Sequence, residues 1–281
     1  MEWASPTGKI GPEQAAWLEC RRSARLYVAN NRATRVRFVS DGRPVLSLAA
    51  FAVIATGVMV AAFVQGTTGV GFALIVAPIL ALLAPGLMPV SLLMLMIPLN
   101  VYVAWREREA LDRPGATWIT LGRFLGTFGG LWLLTTLTSS LLNMLIGAVT
   151  ILASIATLIA PSFTPGRRAL IAAGVITGVT ETATGIGGPP LALVYQHQGA
   201  ARLRSTLAFC FLVGQLMSLA MLAAAGRVSA SHFETALLLV PALAVGAVVS
   251  RLIHDRVGGR LLRLFVLFFA IVSGAVLLTR N

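Results

Sequence analysis

From about residue 45 to residue 279 the chain is almost continuously apolar, and only two glycine-rich breaks interrupt it in matching places: Gln65-Gly-Thr-Thr-Gly-Val-Gly71 and Glu181-Thr-Ala-Thr-Gly-Ile-Gly-Gly-Pro-Pro190. A water-soluble domain has no place for that much apolar surface. Hydrophobic residues make up 57% of the chain and charged ones 11%, against roughly 25% charged in an ordinary globular domain. The unbroken runs exclude a porin-type barrel, whose strands alternate polar and apolar at every second residue. The expected fold class is all-α, a polytopic helical membrane protein whose spans each need roughly 20 apolar residues.

Apolar segments fall at about 45–65, 71–85, 87–105, 117–137, 140–160, 169–184, 188–198, 204–225, 233–253 and 260–279. The second and seventh are short for a bilayer core of about 30 Å. Each follows a break, so segments one with two, and six with seven, are expected as broken or re-entrant pairs. That predicts about eight crossings, within a range of about 8–10.

A shift of 116 residues lays Gln65 on Glu181, Thr68 on Thr184, Gly69 on Gly185, Val70 on Ile186 and Gly71 on Gly187. Further along, a shift of about 120 lays Gly126 on Gly246 and Ile151 on Ile271. Nearly the same offset at both places predicts an internal duplication. The expected organisation is a basic, disordered N-terminal arm at 1–44, a first membrane repeat at 45–160 and a second at 161–281.

The net charge of +12 does not point to nucleic acid. Almost all of the basic residues are arginines in the arm or at junctions between apolar runs, among them Arg106, Arg108, Arg113, Arg167, Arg168, Arg202, Arg204 and Arg251, which positive-inside topology explains. With only Cys20 and Cys210, neither a disulfide framework nor a metal cluster is expected, and no cofactor. The chain has no Gly-x-x-x-x-Gly-Lys phosphate loop, no His-Glu-x-x-His helix and no Gly-x-Ser-x-Gly elbow, so an enzyme is not expected.

Paired interruptions in duplicated halves point to a carrier's binding site, because a broken helix presents backbone N–H and C=O groups to a small solute. Gly69, Gly71, Gly185, Gly187 and Gly188 allow close backbone approach, and Thr67, Thr68 and Thr184 add hydroxyls. Together with Gln65 they form a candidate cradle for a small oxyanion. The competing reading is close helix packing through small residues. Asn100 and Gln215 are polar, lie inside apolar segments at nearly the repeat offset, and either face the same cavity or join helices. Glu181 is an acid well inside an apolar run, which makes it a candidate for proton coupling, with backbone capping as the alternative. Arg123 lies inside the fourth segment near its end; snorkelling to the interface is the ordinary reading, and an anion attractor the sharper one. His197 reads as interfacial.

These residues and their order resemble the sulfite exporter TauE/SafE family of bacterial membrane proteins. The resemblance rests on Gly66-Thr-Thr-Gly-Val-Gly-Phe-Ala-Leu-Ile-Val-Ala-Pro78, on Pro89-Val90 leading to Asn100 and the Arg106-Glu-Arg108 junction, and on Gly174 to Pro190 with its Gly-Ile-Gly-Gly-Pro. It covers residues 45–279. The first motif departs from the family's denser glycine run at Thr67, Thr68 and Phe72. The resemblance implies export, or less often uptake, of small anions such as sulfite, sulfonates or carboxylated relatives across a bacterial cytoplasmic membrane. The expected partners are that small anion and the lipid bilayer, with a homo-oligomer left open. An anion channel and a non-transporting scaffold are the alternatives.

Overall fold

A computed structural model of the protein describes residues 47–159, 165–195, 197–253 and 259–279. The chain divides into two units, Met1–Ala52 and Val53–Asn281. The first is described only from residue 47, so the expected basic arm at 1–44 lies outside the described residues. All contacts given below are within the second.

Among the described residues the fold is all helical, without a strand. Its α-helices are α1 (Leu48–Thr68), α2 (Phe72–Leu83), α3 (Val90–Arg106), α4 (Arg113–Thr136), α5 (Ser139–Ile159), α6 (Arg167–Thr184), α7 (Gly188–Tyr195), α8 (Ala200–Ala224), α9 (Ala230–Ile253) and α10 (Gly259–Thr279). Each apolar segment of the sequence coincides with one helix, and the two short segments are the 12-residue α2 and the 8-residue α7. Among the described residues, three helices are long and apolar enough to cross a membrane: Leu48–Thr68, Ala200–Ala224 and Ala230–Leu252.

Helix α4 shows how composition sorts the faces. Asp112 caps its N-terminus by accepting a hydrogen bond from Gly115 N–H, and proline follows in the first turn. Burial alone would raise the Asp112 pKa. Hydrogen bonds from Tyr195 and Gly115 and the charge of Arg202 outweigh it and hold the carboxyl below its usual value. One face of α4 carries Gly122, Gly126 and Gly130, and the outward side carries the exposed Phe124, Phe128 and Trp132. Large exposed apolar side chains over a small-residue seam are what a lipid-facing helix needs: bulk toward the tails and no bulk toward the neighbouring backbone.

That seam packs against α6. A Cβ on Gly122 would run into the Ile171 carbonyl, one on Gly126 into the Val175 carbonyl and, from the other side, one on Gly174 into the Ile119 carbonyl. A corresponding seam joins α9 to α1, where Gly246 lies against the Met59 carbonyl. Helix α3 packs on α8, α5 on α10, α4 on α8 and α3 on α9. Helix α2 folds back along α1, since a methyl on Gly57 would lie 2.5 Å from Ile79 Cδ1. Helix α7 folds back along α6, and Thr177 Oγ1 donates to the Gly187 carbonyl at 3.2 Å.

Candidate functional site

The two breaks are built alike. Helix α1 closes with Gly69 N–H donating to the Gln65 carbonyl at 2.8 Å, and α6 closes with Gly185 N–H donating to the Glu181 carbonyl at 2.7 Å. Both glycines are left-handed, with φ of 86° and 79°, the usual conformation of a glycine that ends a helix. The threonine before each glycine tightens the turn: Val70 N–H donates to Thr68 Oγ1 at 3.4 Å and Ile186 N–H donates to Thr184 Oγ1 at 3.2 Å. The breaks also meet. A methyl on Gly188 would lie 3.9 Å from Val70 Cβ.

Gly185 has no spare room. A Cβ there would sit 2.5 Å from Leu92 Cδ2, on a backbone that L side chains disfavour. Gly185→Ala is expected to cost about 2 kcal/mol from the left-handed backbone and the displaced Leu92, read as a lowered melting temperature in detergent with the helical content unchanged.

Side chains from five helices join the breaks through one buried polar chain. Phe72 N–H, the first donor of α2, donates to Gln65 Oε1 at 3.2 Å. Gln65 Nε2 donates to Asn100 Oδ1 at 2.9 Å, Asn100 Nδ2 donates to Gln215 Oε1 at 3.1 Å, and Gln215 Nε2 donates to Glu181 Oε1 at 3.2 Å. The other carboxylate oxygen, Oε2, forms an ion pair with Arg123 Nη2. Gln65 is 2% exposed, Asn100 1%, and Gln215, Glu181 and Arg123 0%, so no member reaches solvent to satisfy its polarity. Each amide acts as donor on one side and acceptor on the other, so the bonds run in one direction from Phe72 N–H to Glu181, where the carboxylate accepts from both sides.

Arg123 therefore does not snorkel; the ordinary reading of its position is corrected. At the middle of α4 its guanidinium has no route to an interface, and space for it exists because residue 214 is glycine. A Cβ on Gly214 would overlap the guanidinium, and the Phe211 ring lies 5.8 Å below it. Burying an ionised group at this depth is costly unless a counter-charge is present, and Glu181 supplies it. Of the guanidinium nitrogens, Nε and Nη1 are buried without a hydrogen-bond partner among the described residues.

Of the residues singled out in the sequence, Gln65, Asn100, Gln215 and Glu181 are brought into this chain. Gly187 packs directly on it, because a Cβ there would lie 2.9 Å from Glu181 Cβ. Gly69, Gly71, Gly185 and Gly188 shape the turns. Thr67 turns away, donating to the Phe63 carbonyl and contacting Ser250 Oγ. The hydroxyls of Thr68 and Thr184 donate to carbonyls of their own turns, Val64 and Val70 for the first and Thr180 for the second. His197 is exposed between α7 and α8. The residue that sequence reasoning did not join to the site is Arg123. A signal was available: a lone arginine and a lone acid deep in different apolar segments are each costly alone and far less so as partners.

Beside the first break, a cleft of about 270 Å³ is lined by Arg106, Glu107, Arg108, Glu109, Ala110 and Ala201. Arg204 lies over Gly69 and bridges to Glu107 at 2.9 Å.

A family model described as Sulfite exporter TauE/SafE matches residues 53–277. The chain belongs to the TauE/SafE sulfite exporter family. The match takes in α1 from its sixth residue through nearly all of α10, including both breaks and every member of the buried chain. No curated protein and no solved structure matches the chain. Membership of TauE/SafE, with the long apolar helices, makes this a multi-pass protein of a membrane transporter family.

Proposed function

We propose that this TauE/SafE member is a secondary carrier, acting mainly as an exporter, that moves a small anion such as sulfite, a sulfonate or a related organic acid across a bacterial cytoplasmic membrane by alternating access. The observation that carries the reading is the buried polar chain from Gln65 to Glu181 and Arg123, which links the two helix breaks inside an apolar bundle. In this reading the anion binds where the breaks meet, near Gly69, Gly71, Gly185, Gly187 and Gly188, and Glu181 couples its movement to protons.

The proposal includes duplication into two inverted repeats with about eight to ten crossings in all. Support comes from the way contacts recur when each helix of the first five is exchanged with its counterpart in the second five. The α4–α6 seam at Gly126 matches the α9–α1 seam at Gly246, and α4 on α8 matches α3 on α9. The Gln65–Asn100 bond matches the Glu181–Gln215 bond, with Asn100–Gln215 across the centre. The halves differ in charge, because Gln65 stands opposite Glu181 and Leu243 opposite Arg123. The ionised pair thus occupies one of two matching seams, α4 with α6, while α9 with α1 carries the neutral Leu243 and Gln65, an asymmetry that suits an alternating carrier whose coupling chemistry is needed once per cycle.

Export of a bare monovalent anion gains about 2.3 kcal/mol from an inside-negative potential of about 100 mV. The test is efflux of sulfite and sulfonates from loaded proteoliposomes, with and without a pH gradient. Saturable efflux that exchanges with external anion is the expected result. Unsaturable conductance would replace the carrier with a channel, and absence of flux for every anion tried would leave a scaffold.

A further inference from the structure

We infer that Arg123 is the residue that binds the transported anion, and that the Glu181 carboxylate occupies the anion's place until a proton displaces it. The inference rests on the carrier reading above and adds its binding group and its coupling ratio. Three observations carry it. Arg123 is wholly buried at the end of the polar chain that joins the breaks. Its Nε and Nη1 face no acceptor among the described residues, and each forms a two-donor edge suited to two oxygens of one oxyanion only together with Nη2, the nitrogen that Glu181 occupies. Its one counter-charge among the described residues is a carboxylate, an oxyanion of the chain's own, held by a single pairing to Nη2 while Gln215 holds its other oxygen.

The hydroxyls offered by the breaks are weaker candidates, since those of Thr68 and Thr184 already donate to backbone carbonyls. A guanidinium gives charge-assisted bonds, about twice as strong as neutral ones. An added anion beside an intact Arg123–Glu181 pair would leave one buried negative charge without a partner, which the apolar surroundings penalise. Protonation of Glu181 removes that charge. The protonated acid keeps its hydrogen bond from Gln215 Nε2, and the anion takes over the guanidinium. The site is neutral before and after, so one proton enters with each monovalent anion.

Few other groups confuse this titration. On α4 the group facing Glu181 is Arg123; on α8 the neighbours are the neutral Gln215 and Cys210, whose thiol lies within electrostatic range of Arg123. Helix α7 presents Gly187 to Glu181, and its Tyr195 is bonded to Asp112 instead. Helix α3 contributes the neutral Asn100 through Gln215. With a proton on board, the loaded carrier moves no net charge. The gain from the membrane potential then belongs to a bare anion only, and the direction of net transport follows the anion and proton gradients.

Methanesulfonate is the probe, because it stays ionised across the useful pH range and any pH effect belongs to the protein. Its binding to the purified full-length chain and its flux in proteoliposomes are measured for the native protein, Glu181→Gln and Arg123→Leu/Glu181→Gln. In the native protein, above the acid's titration, each tenfold rise in proton concentration should tighten binding about tenfold, as one linked proton requires. Flux should ignore an imposed potential. Glu181→Gln leaves the guanidinium without its counter-charge, so it is purified with methanesulfonate present to supply one; it should bind tightly with no pH dependence, and its flux should follow the potential. The double variant should bind about 10- to 100-fold more weakly than Glu181→Gln. Arg123→Lys/Glu181→Gln, which keeps the charge and loses the fork, should also bind more weakly and covers the case in which the double variant does not fold.

Equal affinity in a folded Arg123 variant and in Glu181→Gln would overturn Arg123 as the anion's partner and leave the carrier reading standing. Native binding that ignores pH would overturn the displacement by a proton. Absence of saturable binding and flux for methanesulfonate and sulfite in the native protein would remove the carrier reading, and this inference with it.

Discussion

Arg123→Leu alone is expected to cost about 3–5 kcal/mol and to prevent most of the protein from accumulating in folded form, while Arg123→Leu/Glu181→Gln folds nearly as well as the native chain. The single substitution strands the Glu181 carboxylate, 0% exposed, with only Gln215 beside it. Against a typical total stability of about 5–15 kcal/mol that loss is large. The double substitution removes both charges, and the protein already contains a precedent for the result. At the matching positions of the α9–α1 seam stand Leu243 and Gln65, both buried, and Gln65 bonds Asn100. The check is a double-mutant cycle on melting temperature in detergent. A double variant as unstable as the single one would mean that the packing of the guanidinium over Phe211 and Gly214, and not charge pairing, holds this region together.

Gly126→Val should be the most damaging substitution outside the polar chain, at about 3 kcal/mol or more. Its added atoms would enter the Val175 carbonyl, and backbone cannot yield as a flexible side chain does. Gly174, facing Ile119 O, and Gly178, facing Arg123 O, lie in the same seam, so separating α4 from α6 would also pull Arg123 from Glu181. Gly86 is the control, because a Cβ there meets nothing within 4 Å, and Gly86→Ala should stay within about 0.5 kcal/mol. Expression and thermal unfolding measured side by side would decide it. A Gly126→Val protein as stable as Gly86→Ala would show that the seam has slack.

The sequence alone determined much of this protein, for physical reasons that act locally. Apolar runs of about 20 residues have no stable form other than helices in a membrane, because every backbone polar group must be satisfied within the segment. Hence the helices could be read one by one, down to the short α2 and α7 after their glycines. The turn chemistry at Gly69 and Gly185 was also legible, since few residues other than glycine hold a left-handed φ without strain.

Only tertiary structure decided which side chains share a site. Gln65, Asn100, Glu181 and Gln215 were each visible as polar residues in apolar company, but nothing local told whether they faced one another or separate neighbours. Arg123 was misread for the same reason. Whether a long cation snorkels or pairs depends on the helix packed against it, and here the close seam with α6 holds its backbone deep while Gly214 leaves room for its head. The threonines moved the other way. Conspicuous beside the breaks, Thr68 and Thr184 turn out to brace their own turns, because a hydroxyl next to an unpaired backbone group satisfies it before any solute arrives.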